Sequence, residues 1–145
     1  MCSSDLSIPE ATLRAWNEEG VVEWLGFVAD MPGLWAASHV AVLPSFYGEG
    51  VPKCLIEAAA CARPIVAADG PGLREIVRDG ETGILVPAHD AGALAEVIAG
   101  LAADATARAR MGAAGRHLAE TGFGDRHVAG ETLAIYRTLA GLPTR

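Results

Sequence analysis

Hydrophobic positions along the chain fall into short unbroken runs, separated by stretches whose apolar residues recur at helical spacing. The runs are "VVEWLGFV" (21–28), "VAVLPS" (40–45), "PIVAAD" (64–69) and "GILVP" (83–87). A strand with one wet face alternates apolar and polar residues. A strand covered on both faces does not, so these runs predict four buried strands. Helical patterns lie between them. "DMPGLWAAS" (30–38) predicts a short helix, with Asp30 able to cap it and Pro32 near its first turn. "PKCLIEAAACA" (52–62) predicts a helix with Pro52 suited to its first position, and "PGLREIVRD" (71–79) a short one closed by Gly80. Further helices are predicted over roughly 90–103, 104–120 and 125–140, the last following the break "TGFGD" (121–125). This alternation calls for an α/β fold, a Rossmann-like parallel sheet with flanking helices.

Composition narrows the function classes. The 145 residues suffice for one domain with its own core, and 51% apolar with 20% charged residues is ordinary for a globular domain. The net charge is -7 and no basic stripe with interleaved aromatics occurs, which argues against a nucleic-acid partner. Glu57, Arg63, Asp69 and Arg74 interrupt the longest apolar stretch, so no run approaches transmembrane length. The start "MCSSDLSIPE" has neither the basic flank nor the apolar core of a signal peptide. Cys2, Cys54 and Cys61 form no metal-ligand pattern, and their odd number points to reduced thiols in a cytoplasmic setting. "MCSSDL" is similar to the translation of a common sequencing-adapter end behind a start codon. Residues 1–6 are therefore expected to be a non-native leader, with the domain running from 7 to 145.

The candidate chemistry centres on "PSFYGEGVPKCLIEAAACARPIVAAD" (44–69). In a doubly wound sheet, ligands bind beyond the carboxyl ends of the strands. The strand "VAVLPS" ends near Ser45, so 46–51 form loop at that rim, and Gly48 and Gly50 allow close backbone approach. The helix after Pro52 presents N–H groups that suit anions or hydroxyls. Glu49 stands on the loop, and Glu57 about 7 Å further along the helix axis. Ionised carboxylates only accept hydrogen bonds, and each can take two neighbouring hydroxyls of a sugar ring. A structural explanation competes with this one. A carboxylate near a helix start gains about 0.3–1 kcal/mol from the macrodipole. Lys53, the only lysine, pairs with Glu57 one turn on, for about 0.2–0.5 kcal/mol at best.

The stretch "LPSFYGEGVPKCLIEAAACARPIVAAD", followed by "GPGLREIVRDGETGILVP" and "RMGAAGR", closely resembles the nucleotide-binding core of family 4 glycosyltransferases. The resemblance covers essentially all of 7–140. These are retaining enzymes of the two-domain GT-B fold, with a signature of two Glu separated by seven residues, matched by Glu49 and Glu57. The "EGVPK" form looks most like bacterial enzymes that build surface polysaccharides on lipid-linked acceptors. The resemblance implies that Glu49, the catalytic-site residue, contacts the donor sugar and that Glu57 holds the ribose hydroxyls. The donor site would comprise Glu49, Gly50, Val51, Pro52, Lys53, Leu55 and Glu57, with backbone amides near Gly50 and Val51 facing sugar or diphosphate. For Lys53, the diphosphate and the ion pair with Glu57 remain equal readings. No metal and no cofactor are implied, only a nucleotide-diphosphate sugar as co-substrate.

The implied reaction moves a sugar with retention to an acceptor hydroxyl, in polysaccharide or glycolipid synthesis. The acceptor, a glycan or lipid-linked saccharide, would bind through a domain this chain lacks, and the parent would work at the inner face of the membrane as a peripheral protein. The first two strands of the family's C-terminal domain are also missing, one of which carries an Arg and a nearby Lys for the diphosphate. The chain is thus expected to be an incomplete C-terminal half of a GT-B fold, inactive alone. "VVEWLG" and "VAVLPS" would then pair directly or leave apolar edges open. A nucleotide-sugar epimerase of the same fold and a non-catalytic nucleotide-sugar binding module stay open as alternatives. His39, His89, His117 and His127 are scattered and read as surface or loop residues. Trp16, Trp24 and Trp35 read as core and packing residues, "RARMGAAGR" (108–116) as a solvated helix face, and Glu75 beside "GPG" (70–72) as lying one layer behind the ligand.

Overall fold

A computed structural model describes residues 8–45 and 50–142, which divide into two units, Met1–Asp30 and Met31–Arg145. The larger unit carries three parallel strands in the order β1-β2-β3: β1 (Ala41–Leu43), β2 (Ile65–Ala68) and β3 (Gly83–Val86). Ala41 pairs with Ile65, and Ile65 with Gly83. Helices α2 (Met31–Ala37), α3 (Lys53–Ala60), α4 (Leu73–Ile76), α5 (Ala91–Ala103), α6 (Ala105–Gly122) and α7 (Asp125–Leu139) complete it.

All four residues of β2 are buried, as its unbroken apolar run requires. The strand period of two splits them between the faces of the sheet. Ile65 and Ala67 join a core cluster with Leu55, Ala58 and Ala59 of α3. Val66 joins the other, with Val86, Leu101 and Met111. β1 is the edge: only β2 pairs with it among the described residues, and Val42 stays 39% exposed.

The later helices start where the chain supplies carboxylate caps. Asp90 accepts from the Ala93 N–H at 2.9 Å, and Asp104 from the Ala107 N–H at 2.8 Å. α6 lies against α3 because Gly112 and Gly115, both buried, bring its backbone close. "RARMGAAGR" is therefore a packing face as well as a solvated one. Pro52 is the N-cap of α3 rather than its first helical residue, one position earlier than predicted. α4 stops at Ile76, before Gly80, because Val77 is already extended. Gly80, at φ +73°, instead turns the chain into β3, its N–H donating to the Gly83 carbonyl at 2.8 Å.

The smaller unit departs from the pattern in two ways. Residues 21–28 form no strand, and Val21 and Phe27 are 67% and 94% exposed. A strand needs a neighbour for its backbone groups, and among the described residues of this unit no other extended segment pairs with it. Conversely, Glu10–Glu18 forms helix α1, which was not among the expected elements, and none of its residues is buried. Local polar bonds hold it. Arg14 pairs with Glu10 one turn back, its guanidinium lies 5.1 Å from the Trp24 ring centre, and Asn17 Oδ1 accepts from the Trp24 N–H at 2.9 Å. Trp16, expected inside, is 37% exposed. No helix of the described residues is long and apolar enough to cross a membrane.

Candidate active site

Two distinct hollows flank α3, and the first of them lies at the carboxyl ends of the strands, the expected rim. The first, of about 220 Å³, lies among Leu43 and Ser45 beyond β1, Gly50, Pro52 and Cys54 at the head of α3, and Pro71 beyond β2. Pro52 provides no side-chain cap to α3; its carbonyl accepts from the Leu55 N–H at 3.0 Å and the Ile56 N–H at 3.3 Å, closing the first turn. The second, of about 200 Å³, lies between α2 and α3 and is lined by Met31, Pro32, Trp35, Glu57, Ala60 and Cys61. Glu57 therefore faces a groove of its own, with mostly apolar walls, and not the cleft at the helix head. Trp35 packs on the core behind this groove. Its indole N–H is buried and meets no acceptor among the described residues.

The two halves of the sequence motif fare differently. Glu49, with 46–48, lies outside the described residues. Glu57 Oε1 sits 3.5 Å from Lys53 Nζ, with the Lys53 side chain 89% exposed and that of Glu57 36%. The pair links successive turns of α3 on its solvent side. Gly50 is exposed, Val51 packs partly on the core, and Pro52 is half-buried. Leu55 is 2% exposed inside the core, so its side chain lines neither hollow.

One arrangement at the rim escaped the sequence. Asp69, just past β2, and Arg74 of α4 form a two-point pair across Gly70–Gly72. Arg74 Nε donates to Asp69 Oδ1 at 2.5 Å and Nη2 to Oδ2 at 3.0 Å. Hydrogen bonding from Arg74, which outweighs the desolvation cost and is helped by a lesser charge attraction, holds the Asp69 carboxyl below its ordinary range, and the Asp69 partner raises Arg74. An Asp and an Arg bracketing a Gly-Pro-Gly turn is the only signal in the chain that could have disclosed it. Glu75 next to it is exposed. The arginines of α6 are occupied elsewhere. Arg108 donates to the Leu101 and Ala102 carbonyls, Arg110 to the Gly80 carbonyl, and Arg116 to Glu120. The four histidines are exposed, as read from the sequence. Among the described residues no group of three His, Cys, Asp or Glu comes close enough to hold a metal.

Comparison with known proteins identifies the family and the fold. Residues 5–104 match the family model described as glycosyl transferases group 1. The D-inositol 3-phosphate glycosyltransferase of Kribbella flavida is 41% identical over 135 residues, covering 90% of this chain and 31% of that protein. Among solved structures, the sucrose-phosphate synthase of Thermosynechococcus elongatus superposes with a TM-score of 0.80 at 31% identity, covering 91% of this chain and 33% of the other. Anabaena HepE in complex with UDP gives 0.78 at 29% identity, covering 91% and 36%. HepE is also solved with UDP-glucose. This chain thus spans about a third of the length of the relatives it matches. The neighbours are GT-B glycosyltransferases, and the three-stranded parallel sheet with its helices corresponds to part of that fold. The chain belongs to the group 1 glycosyl transferases.

Proposed function

We propose that this chain is the donor-binding part of a retaining, family 4 glycosyltransferase acting on a nucleotide-diphosphate sugar. One observation carries the reading: Glu57 is a carboxylate set in a groove otherwise walled by Met31, Pro32, Trp35, Ala60 and Cys61. A carboxylate in apolar walls suits a ribose, whose neighbouring hydroxyls both donate to it while the ring lies on the walls. The N-terminal end of α3, which borders the adjoining cleft through Gly50, Pro52 and Cys54, suits the diphosphate, because a helix start favours negative charge. Glu49 takes hydroxyls of the transferred sugar. These bonds strengthen as the ring becomes oxocarbenium-like, while the helix N–H groups stabilise the leaving diphosphate. HepE, a structural relative, binds UDP and UDP-glucose, which supports a nucleotide sugar as donor.

The acceptor, a glycan or lipid-linked saccharide of surface-polysaccharide synthesis, binds through an N-terminal domain encoded upstream. The same upstream part supplies the first two strands of the donor domain, and the parent works in the cytoplasm at the membrane face. Residues 1–6 are a non-native leader. The test uses the full-length protein carrying this chain, with UDP-, GDP- and ADP-glucose as donors. Glu57→Gln is expected to raise the donor KM at least about tenfold, since a ribose diol loses its charged acceptor. The product's anomeric configuration by NMR should match the donor's. Unchanged donor affinity in E57Q would remove the ribose role, and an inverted product would remove retention.

A further inference from the structure

We infer that Asp69 and Arg74 are a positioning pair that fixes the Pro71 wall of the cleft at the head of α3, and thereby sets how firmly the sugar donor is held. The inference rests on the donor-binding reading above and concerns residues that the Glu pair does not include.

Asp69 is anchored to the sheet, its N–H donating to the Val86 carbonyl of β3 at 2.8 Å. Arg74 is anchored to the far side of the turn, its N–H donating to the Gly70 carbonyl at 3.2 Å. The guanidinium then reaches back and grips both carboxylate oxygens, at 2.5 and 3.0 Å. The enclosed loop holds Gly70, Pro71 and Gly72. Gly72 is at φ +77°, a conformation that a side chain would strain. Pro71 and Leu73 form the cleft wall facing Pro52 and Cys54. α4, with four residues, is too short to hold its own geometry by helical hydrogen bonds. A planar fork on a carboxylate fixes direction as well as distance, which an ammonium cannot do. The pair is also largely exposed, with side chains 62% and 42% accessible, so it adds little to global stability. Its effect is local, on the width of a cleft where displacements near 1 Å matter.

The test measures donor KM and kcat in the full-length protein for D69N, R74Q, R74K and D69N/R74Q, with whichever of UDP-, GDP- and ADP-glucose the unmodified protein accepts. Each single variant is expected to raise the donor KM roughly three- to tenfold, with kcat within about twofold. The double variant should be no worse than either single one, the mark of residues acting as a unit. R74K should not rescue, because it keeps the charge and loses the fork. The melting midpoint should stay within about 2 °C throughout. Unchanged KM in both D69N and R74Q, with E57Q still weakened, would overturn the pair and leave the donor site standing. A silent D69N beside a weakened R74Q would overturn it too, since Arg74 would then act on the donor by itself. So would a collapse of the melting midpoint in both single variants. Failure of the unmodified protein to accept any of the three donors would overturn both readings together.

Discussion

A Cβ added to Gly112 of α6 would stand 2.1 Å from the Ala62 carbonyl oxygen at the end of α3. Backbone meets backbone there, with no flexible side chain to yield. The contact seats α6 on α3, the helix that carries Glu57 and heads the cleft. Gly112→Ala must part the two helices and is expected to destabilise the protein by at least ~2 kcal/mol in denaturant melts. Gly100→Ala, on an open stretch of α5 with nothing within 4 Å, should instead be neutral or slightly stabilising.

Thr82 is the one buried polar side chain among the described residues of the core, at 0% exposure. Its hydroxyl donates to the Ile76 carbonyl at 3.0 Å and accepts from the Arg78 N–H at 2.8 Å, tying the end of α4 to the entry of β3. Thr82→Val keeps the shape and strands both backbone groups. A loss of about 1–3 kcal/mol is expected, with faster amide exchange confined to 76–83.

Lys53 and Glu57 touch, yet their substitutions should not be equivalent. Lys53 is almost wholly in solvent, whereas Glu57 lines a groove. Lys53→Gln should leave the melting midpoint within about 2 °C and raise the donor KM less than about threefold. The same titration on E57Q should show the larger loss proposed above. Equal losses would move Lys53 from the ion pair to the diphosphate.

Asp69 should titrate below its ordinary 3.8, because Arg74 hydrogen-bonds and attracts the ionised form. The sign follows from that depression. Whatever stability the pair contributes is present above the unfolded value and is lost as pH falls through the lower folded one. Carboxyl NMR should place the midpoint below 3.8 in the unmodified protein and return it upward in R74Q. An unmoved midpoint in R74Q would mean that the fork does not hold in solution.

Much of this fold was legible because its signals are local. The "PIVAAD" run became the fully buried β2, and the helices expected over 90–103 and 125–140 appear as α5 and α7 almost residue for residue. Asp90, Asp104 and the Gly-Phe-Gly break act within about four residues of where they stand, so chain order suffices to read them. "VVEWLGFV" misled for the opposite reason. Its composition is that of a strand, but a strand exists only where another segment meets its backbone. α1 was not expected from the sequence; none of its residues is buried, and polar bonds of Arg14 and Asn17 support it.

What the sequence determined by itself, then, is the kind of layer each segment can enter and the residue types available at the rim, because burial periodicity, caps and turn residues are properties of neighbours in the chain. Tertiary structure alone decided that Glu57 opens on a groove against Trp35 while Cys54, one turn earlier, opens on a separate cleft. It also brought Arg74 back onto Asp69. The groove depends on where α2 comes to rest against α3, which is set by packing between segments that chain order does not place side by side; the pair depends on the path of the turn after β2, which the residue types at its ends permit without fixing.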